Sequence, residues 1–172
     1  MADSQQWTKI YWDSCAWLGK LNAEPLKVVQ CDYWLARAKN GDHEIYTSSI
    51  TLAEVFKVSC SGVLQGVSPA DDQAFQDLIE QPWVLEVQCD HQIGKKAREL
   101  LRAHTQLKKP TDAIHLATAL LNNCDVMFTF DHRNLIVLSG TLFRSDGHPL
   151  EIMEPPDALA GTLFAIAVSA TI

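Results

Sequence analysis

The chain has 172 residues, 47% hydrophobic and 20% charged, and its 14 Lys+Arg against 21 Asp+Glu give a formal net charge of −7. That is enough to bury one core, so a second domain is not expected, and the negative balance speaks against a protein held to nucleic acid or anionic lipid by bulk charge. Five cysteines, at 15, 31, 60, 89 and 124, are odd in number and never in a C-x-x-C pair, and the first residues lack the basic start and apolar run of a signal peptide, so neither a disulfide framework nor secretion is expected and a reducing cytoplasm fits.

In chain order, a first strand reads as Lys9 to Trp12 and runs into Asp13. Pro25 to Asn40 is a helix closed by Asn40-Gly41, and Glu44 to Thr47 is a short second strand. Hydroxyl caps at Ser48 to Thr51 precede a helical stretch from Leu52 to Ser59, and Ser68-Pro69 opens a helix with Asp71 and Asp72 in its first turn. Trp83 to Val87 is the third strand. Asp90 can cap a helix whose Ile93, Ala97, Leu100 and Leu101 recur at helical spacing, and Pro110-Thr111 opens another with Ile114, Ala117, Leu120 and Leu121 on one stripe. Val126 to Phe130 is the fourth strand, and Leu150 to Met153 a weaker fifth. The alternation predicts an α/β domain around a mainly parallel sheet of about five strands. The apolar tail over 157–172, of which the fifteen residues from Ala158 to Ile172 carry no charge, is shorter than the roughly 20 apolar residues of a membrane helix; it is expected to pack against the body or a partner, with no membrane span.

No G-x-G-x-x-G, G-x-x-x-x-G-K-[ST] or G-x-S-x-G occurs, so dinucleotide, P-loop and serine-hydrolase chemistry have no support. What remains is a set of acids at element edges: Asp13 after strand one, Glu54 in the first turn of a helix, Asp112 in the first turn of another, and Asp131 after strand four. In an open parallel sheet those edges share one rim, where such folds bind ligands. Clustered carboxylates raise each other's pKa unless a cation sits among them, and an all-oxygen set suits Mg²⁺ or Mn²⁺, which can activate water against a phosphodiester. Each acid also has a plainer reading. Thr51-Leu-Ala-Glu54 has the form of a capping box, Asp112 can favour the helix dipole, and Asp13 or Asp131 can cap the turns after their strands.

The stretches I-Y-W-D-S at 10–14, S-S-I-T-L-A-E-V at 48–55, P-T-D-A-I-H-L-A-T-A-L at 110–120 and T-F-D-H-R-N-L at 129–135, in that order, resemble the acidic motifs of the PIN-domain nucleases, including the VapC-type toxins. The resemblance covers residues 9–153 and implies a three-layer α/β/α fold, one PIN-like domain over 1–172, divalent metal at the acidic rim and cleavage of RNA. It assigns Asp13, Glu54, Asp112 and Asp131 as catalytic and metal-binding, with Ser14 and Thr129 beside them. Ser14 can equally cap the short helix after strand one, and Thr129 can be an ordinary strand residue. The setting implied is a cytoplasmic toxin, homodimeric, with an antitoxin as partner; the alternatives are a flap-type DNA or RNA phosphodiesterase with the same metal site and a non-catalytic PIN-like scaffold.

Two further groups of residues call for weighing. His115, one turn after Asp112, can face the site, although helix packing or the surface is the commoner place for a lone histidine. Lys95, Arg98 and Arg102 share one helical face, and with Lys108 and Lys109 they lead into the helix of Asp112; this is either a strip that holds RNA phosphates or an ordinary solvated face.

Overall fold

The computed structural model describes residues 7–22, 24–60 and 63–157, so the apolar tail beyond Asp157, whose packing was in question, lies outside the described residues. In chain order the elements are β1 (Lys9–Trp12), α1 (Ser14–Leu21), α2 (Pro25–Lys39), β2 (Glu44–Ser48), α3 (Ile50–Glu54), β3 (Lys57–Cys60), β4 (Val63–Gly66), α4 (Pro69–Ile79), β5 (Val84–Val87), α5 (His91–Ala103), α6 (Pro110–Leu121), β6 (Val126–Phe128), a 3-10 turn at Ile136–Leu138, and β7 (Glu151–Met153).

Five strands form one sheet in the order β5-β2-β1-β6-β7, and every neighbouring pair is parallel. Strand alternation sends successive side chains to opposite faces, and here both faces are covered. Ile10 and Trp12 of β1 and Val126 and Phe128 of β6 join Trp17 of α1, Trp34 of α2 and Phe75 of α4 in one core. On the other face Tyr11 and Met127 pack with Ile93, Ala97 and Leu100 of α5 and Leu116, Ala117 and Leu120 of α6. The result is the three-layer α/β/α arrangement expected, with β1 at its centre. Tyr11, Trp12, Trp17 and Trp34 are all buried. Gly19 lets α1 lie against the segment after β6, since a Cβ there would stand 2.5 Å from Cε2 of Phe130.

The strand order fixes where a ligand can enter. From β1 the chain steps outward to β2 and β5, then crosses back to place β6 on the other side of β1. The carboxyl ends of β1 and β6 therefore flank the point where the strand order reverses, the usual crevice of such sheets.

Two sequence expectations are corrected. The helix expected over Leu52 to Ser59 begins at Ile50 and stops at Glu54; Val55 leaves helical geometry at φ −85°, ψ 66°, and Lys57 opens the antiparallel hairpin β3-β4. Val55, where the helix stops, is branched at Cβ, which restricts χ1 in a helix. Ser14 does not cap α1. Asp13 does, with extended φ −84°, ψ 178° and its carboxylate accepting from the Ala16 N–H, while Ser14 is already the first helical residue. The caps expected at Ser68 and Asp90 are present, each accepting from the backbone N–H three residues on. Among the described residues Cys15, Cys31, Cys89 and Cys124 are free thiols, and no helix is long and apolar enough to cross a membrane.

Candidate active site

Asp13 emerges from the carboxyl end of β1 and is 2% exposed. Its Oδ1 accepts the Ala16 N–H at 2.9 Å and its Oδ2 the Thr129 hydroxyl at 2.6 Å, while Thr129 Oγ1 in turn accepts the Asp131 N–H at 3.1 Å. Thr129 thus ties the ends of β1 and β6 together. Burial pushes the Asp13 carboxyl up to about 6, against the pull of His115, Thr129 and the Ala16 N–H.

Asp112 stands in the first turn of α6, after Pro110, where the helix dipole favours a carboxylate. Its Oδ2 is buried without a hydrogen-bond partner. Burial raises its pKa, and the charges of Asp131 and Glu54 add to the rise, against the pull of Lys109 and His115. A buried carboxylate oxygen with no donor is costly, because its desolvation goes uncompensated.

Glu54 is the last residue of α3, not part of its first turn, and the capping-box reading fails: Ser49 occupies the N-cap and Glu54 turns away from Thr51. Its Oε2 accepts from the Ser14 hydroxyl and from His115 Nε2, the latter at 2.7 Å. Burial would raise its pKa, but the His115 and Ser14 bonds, with help from Thr111, hold the carboxyl down at about 2.

Asp131 does what its plainer reading expects as well as facing the rim. Its Oδ1 accepts the N–H groups of Arg133 and Asn134 at 3.0 Å each, and its Oδ2 accepts from the Asn134 amide at 2.8 Å. Burial is outweighed by these bonds, and the carboxyl lies below its ordinary value. Its charge still reaches Asp112, as do those of Glu54 and Asp13, so the four acids share one electrostatic field. Among the described residues no group of three or more His, Cys, Asp or Glu is arranged to hold a metal ion. The bonding explains why: Glu54 is turned to His115 and Ser14, and Asp131 is committed to its own turn. Asp13 and Asp112 remain as the under-compensated pair. Two carboxylates suit Mg²⁺ or Mn²⁺, which commonly take one or two and keep several waters.

His115 is the functional candidate the sequence reading underweighted. It is 2% exposed, with Nδ1 2.7 Å from the Tyr11 hydroxyl and Nε2 between Glu54 and Ser14 Oγ, the latter at 3.1 Å. The signal was spacing: His115 lies three residues after Asp112 on one helix, and Tyr11 two residues before Asp13 on one strand, so each shares a side with an acid. Cys15 lies in the same field, its thiol pushed up by burial and then by Asp13, Asp131 and Asp112, which keeps it protonated.

Lys95, Arg98 and Arg102 are exposed on α5, on the side away from buried Ile93, Ala97 and Leu100, and Lys108 and Lys109 are exposed just before α6. None of the five pairs with a described acid. Lys109 is the one whose charge acts on Asp112 and Asp131.

Comparison with known proteins agrees with this layout. The family model described as PIN domain matches residues 10–138. The fold is similar to that of Mycobacterium tuberculosis VapC20, described as a sarcin-ricin loop cleaving toxin, at 16% identity over 71% of this chain and 89% of that one, with a TM-score of 0.55. It is also similar to VapBC2 from Rickettsia felis bound to a promoter DNA fragment (18% identity, 84% and 98% covered, TM-score 0.58) and to FitAcB from Neisseria gonorrhoeae (18%, 85% and 97%, 0.51). Identities this low speak for the fold alone. No curated protein sequence matches significantly.

Proposed function

The chain belongs to the PIN-domain family, a family of nucleases, and from that membership and the chemistry of its rim we propose that it is a divalent-metal-dependent endoribonuclease, the toxin of a toxin-antitoxin pair. The observation that carries the metal site is the buried, unpartnered Oδ2 of Asp112 in the same field as Asp13, whose carboxyl is raised to about 6. Burial holds both carboxyls up, and Asp112 also lacks a donor to one oxygen, so a hard cation supplies the positive charge that neither has as an ion-pair partner among the described residues. Asp13, Glu54, Asp112 and Asp131 would jointly hold Mg²⁺ or Mn²⁺, with Asp13 and Asp112 as the more central ligands and Glu54 and Asp131 completing the set from either side. Once bound, such an ion activates water and stabilises charge on the leaving oxygen of a phosphodiester. The chain's own part is orientation. Thr129 fixes one oxygen of Asp13 and the Ala16 N–H the other, Asn134 and the backbone after it fix Asp131, and Lys109 brings a positive charge to the entrance, where a phosphate would be drawn in. The exposed face of Lys95, Arg98 and Arg102, with Lys108, supplies further phosphate contacts to RNA, which position a strand without reading its bases.

The fold shared with the toxin VapC20 and with VapBC2 favours the toxin setting, and in that setting the chain would be a cytoplasmic homodimer restrained by an antitoxin. The purified full chain is expected to cleave RNA only with added Mg²⁺ or Mn²⁺. Its expression alone is expected to halt growth, and a small gene immediately upstream to relieve the arrest. A chain that leaves RNA intact with either metal, while remaining folded, rules the nuclease reading out; a chain that cleaves but spares growth rules out only the toxin setting.

A further inference from the structure

Most of the inward side of α6 is apolar, with Ala113, Leu116, Ala117 and Leu120 packed into the core, yet His115 among them is polar and almost fully buried. A histidine used only to fill space would be poorer than leucine there, since each ring nitrogen taken from water must find a partner. Both have found one, and the partners come from the segments that carry the acids. Tyr11 lies two residues before Asp13, Ser14 is the next residue after it, Glu54 ends α3, and His115 itself follows Asp112 by one helical turn. Because an ionised carboxylate can only accept, Nε2 donates to Glu54; on the neutral ring Nδ1 is then an acceptor, and the Tyr11 hydroxyl donates to it at 2.7 Å. The Tyr11 and His115 rings also meet edge to face, with centroids 5.8 Å apart and planes at 64°. The imidazole is therefore held on both sides, and Glu54 takes its orientation from it.

We propose that His115 is a positioning residue of the metal site: braced by Tyr11, it sets where the Glu54 carboxylate stands beside Asp13 and Asp112 and thereby sets the affinity of the rim for a divalent cation. The proposal rests on the metal-dependent reading above and assigns to Tyr11 and His115 a role that acts through Glu54. Partners that orient a ligand in this way typically change metal affinity by about 10- to 100-fold when removed.

The test uses the full chain and Mn²⁺ alone, with free Mn²⁺ followed by electron paramagnetic resonance, and circular dichroism and thermal melting to establish that each variant folds. His115→Leu is expected to weaken Mn²⁺ binding by about 10- to 100-fold. His115→Gln, whose amide nitrogen can take the place of Nε2 and still donate to Glu54, is expected to recover most of that loss. Tyr11→Phe should weaken binding less, and should add nothing in the His115→Leu background, because its effect passes through the imidazole. RNA cleavage by these variants should be restored largely by excess metal, a shift in the activation constant more than in kcat. Wild-type Mn²⁺ affinity in folded His115→Leu, or equal losses in the Gln and Leu variants, overturns the proposal. If the Leu variant does not fold, wild-type affinity in Tyr11→Phe overturns it. A wild-type chain that binds Mn²⁺ but cuts no RNA removes the nuclease reading and leaves the positioning role to be judged on binding; one that binds no Mn²⁺ removes both.

Discussion

At the amino ends of the strands Asp125 accepts the backbone N–H groups of Thr8 and Lys9 at 2.8 and 3.0 Å and the Arg144 guanidinium at 2.6 Å, whereas at the carboxyl ends Asp112 keeps a buried oxygen with no partner at all. Burial acts on both carboxyls in the same direction. For Asp125 the donors outweigh it and the pKa falls below the ordinary value; for Asp112 they do not, and it rises. Both residues are aspartates at element edges and equally plain in the sequence, so residue type does not separate structural from functional acids. Donor supply does. Arg144, which also bridges to Asp146 at 3.1 Å, serves the rim where charge is neutralised, and among the described residues no arginine is in an ion pair with the acids of the other.

The sharpest way to break this comparison is to remove charge at each end. Asp13→Asn and Asp112→Asn are expected to lower RNA cleavage by at least about three orders of magnitude while the protein stays folded; rates near wild type in both would dissolve the metal assignment. Acid is the next probe. With its carboxyl at about 6, Asp13 takes up a proton as the pH falls through that value, and a protonated ligand releases metal, so Mn²⁺ affinity should fall by up to about tenfold per pH unit below 6. An affinity that stays flat between pH 7 and 5 would take Asp13 out of the ligand set. The sign for folding is opposite at the two ends. A raised carboxyl such as Asp13 disfavours the folded state above its folded pKa, and that penalty is released as the pH falls from the folded pKa to the ordinary value; a lowered one such as Asp125 favours folding above the ordinary value, and its contribution is lost as the pH falls through the folded pKa.

Asp125→Asn accordingly should cost about 1–3 kcal/mol of stability at neutral pH, since charge-assisted bonds are lost, yet leave cleavage intact below the melting transition. Asp112→Asn should show the reverse, with stability unchanged or higher, and equal losses of stability in the two variants on urea titration would refute the distinction between the rims. The smallest effect concerns the α5 face: Arg98→Gln with Arg102→Gln should raise KM more than it lowers kcat and reduce the salt slope of RNA binding by about 1.4, two phosphate contacts' worth on a single strand. An unchanged slope returns that face to ordinary surface.

Most of the architecture was legible because it depends on local signals. The apolar run after Lys9 and the Ser68 and Asp90 caps map onto elements directly, and the alternation of strands with helices led to the parallel sheet. The hairpin β3-β4 was not legible, since β3 begins at Lys57 just after α3 ends at Glu54, with no Gly or Pro between them to mark the break. Glu54 meets His115 and Ser14 from the end of α3 and not from a first turn: Thr51 and Glu54 mimic a capping box, and only the actual start of α3 at Ile50 shows that the glutamate ends the helix. The positions of Asp112 and His115 were readable, but not their bonding. An orphaned oxygen and a doubly bonded imidazole depend on contacts between segments far apart in the chain, which local spacing does not report.

Those separations have a consequence in time. Tyr11 and His115 are 104 positions apart, Ser14 and His115 101, and Asp13 and Thr129 116. At about 5–20 residues per second, a ribosome needs roughly 6–23 s to add Thr129 after Asp13, and β1 has no β6 beside it until then. During that interval the first acid waits without the hydroxyl that orients it, and a chain cut short before residue 129 never acquires it. Birth of the polypeptide and birth of its reactive rim are separate events, and translation itself sets the delay between them.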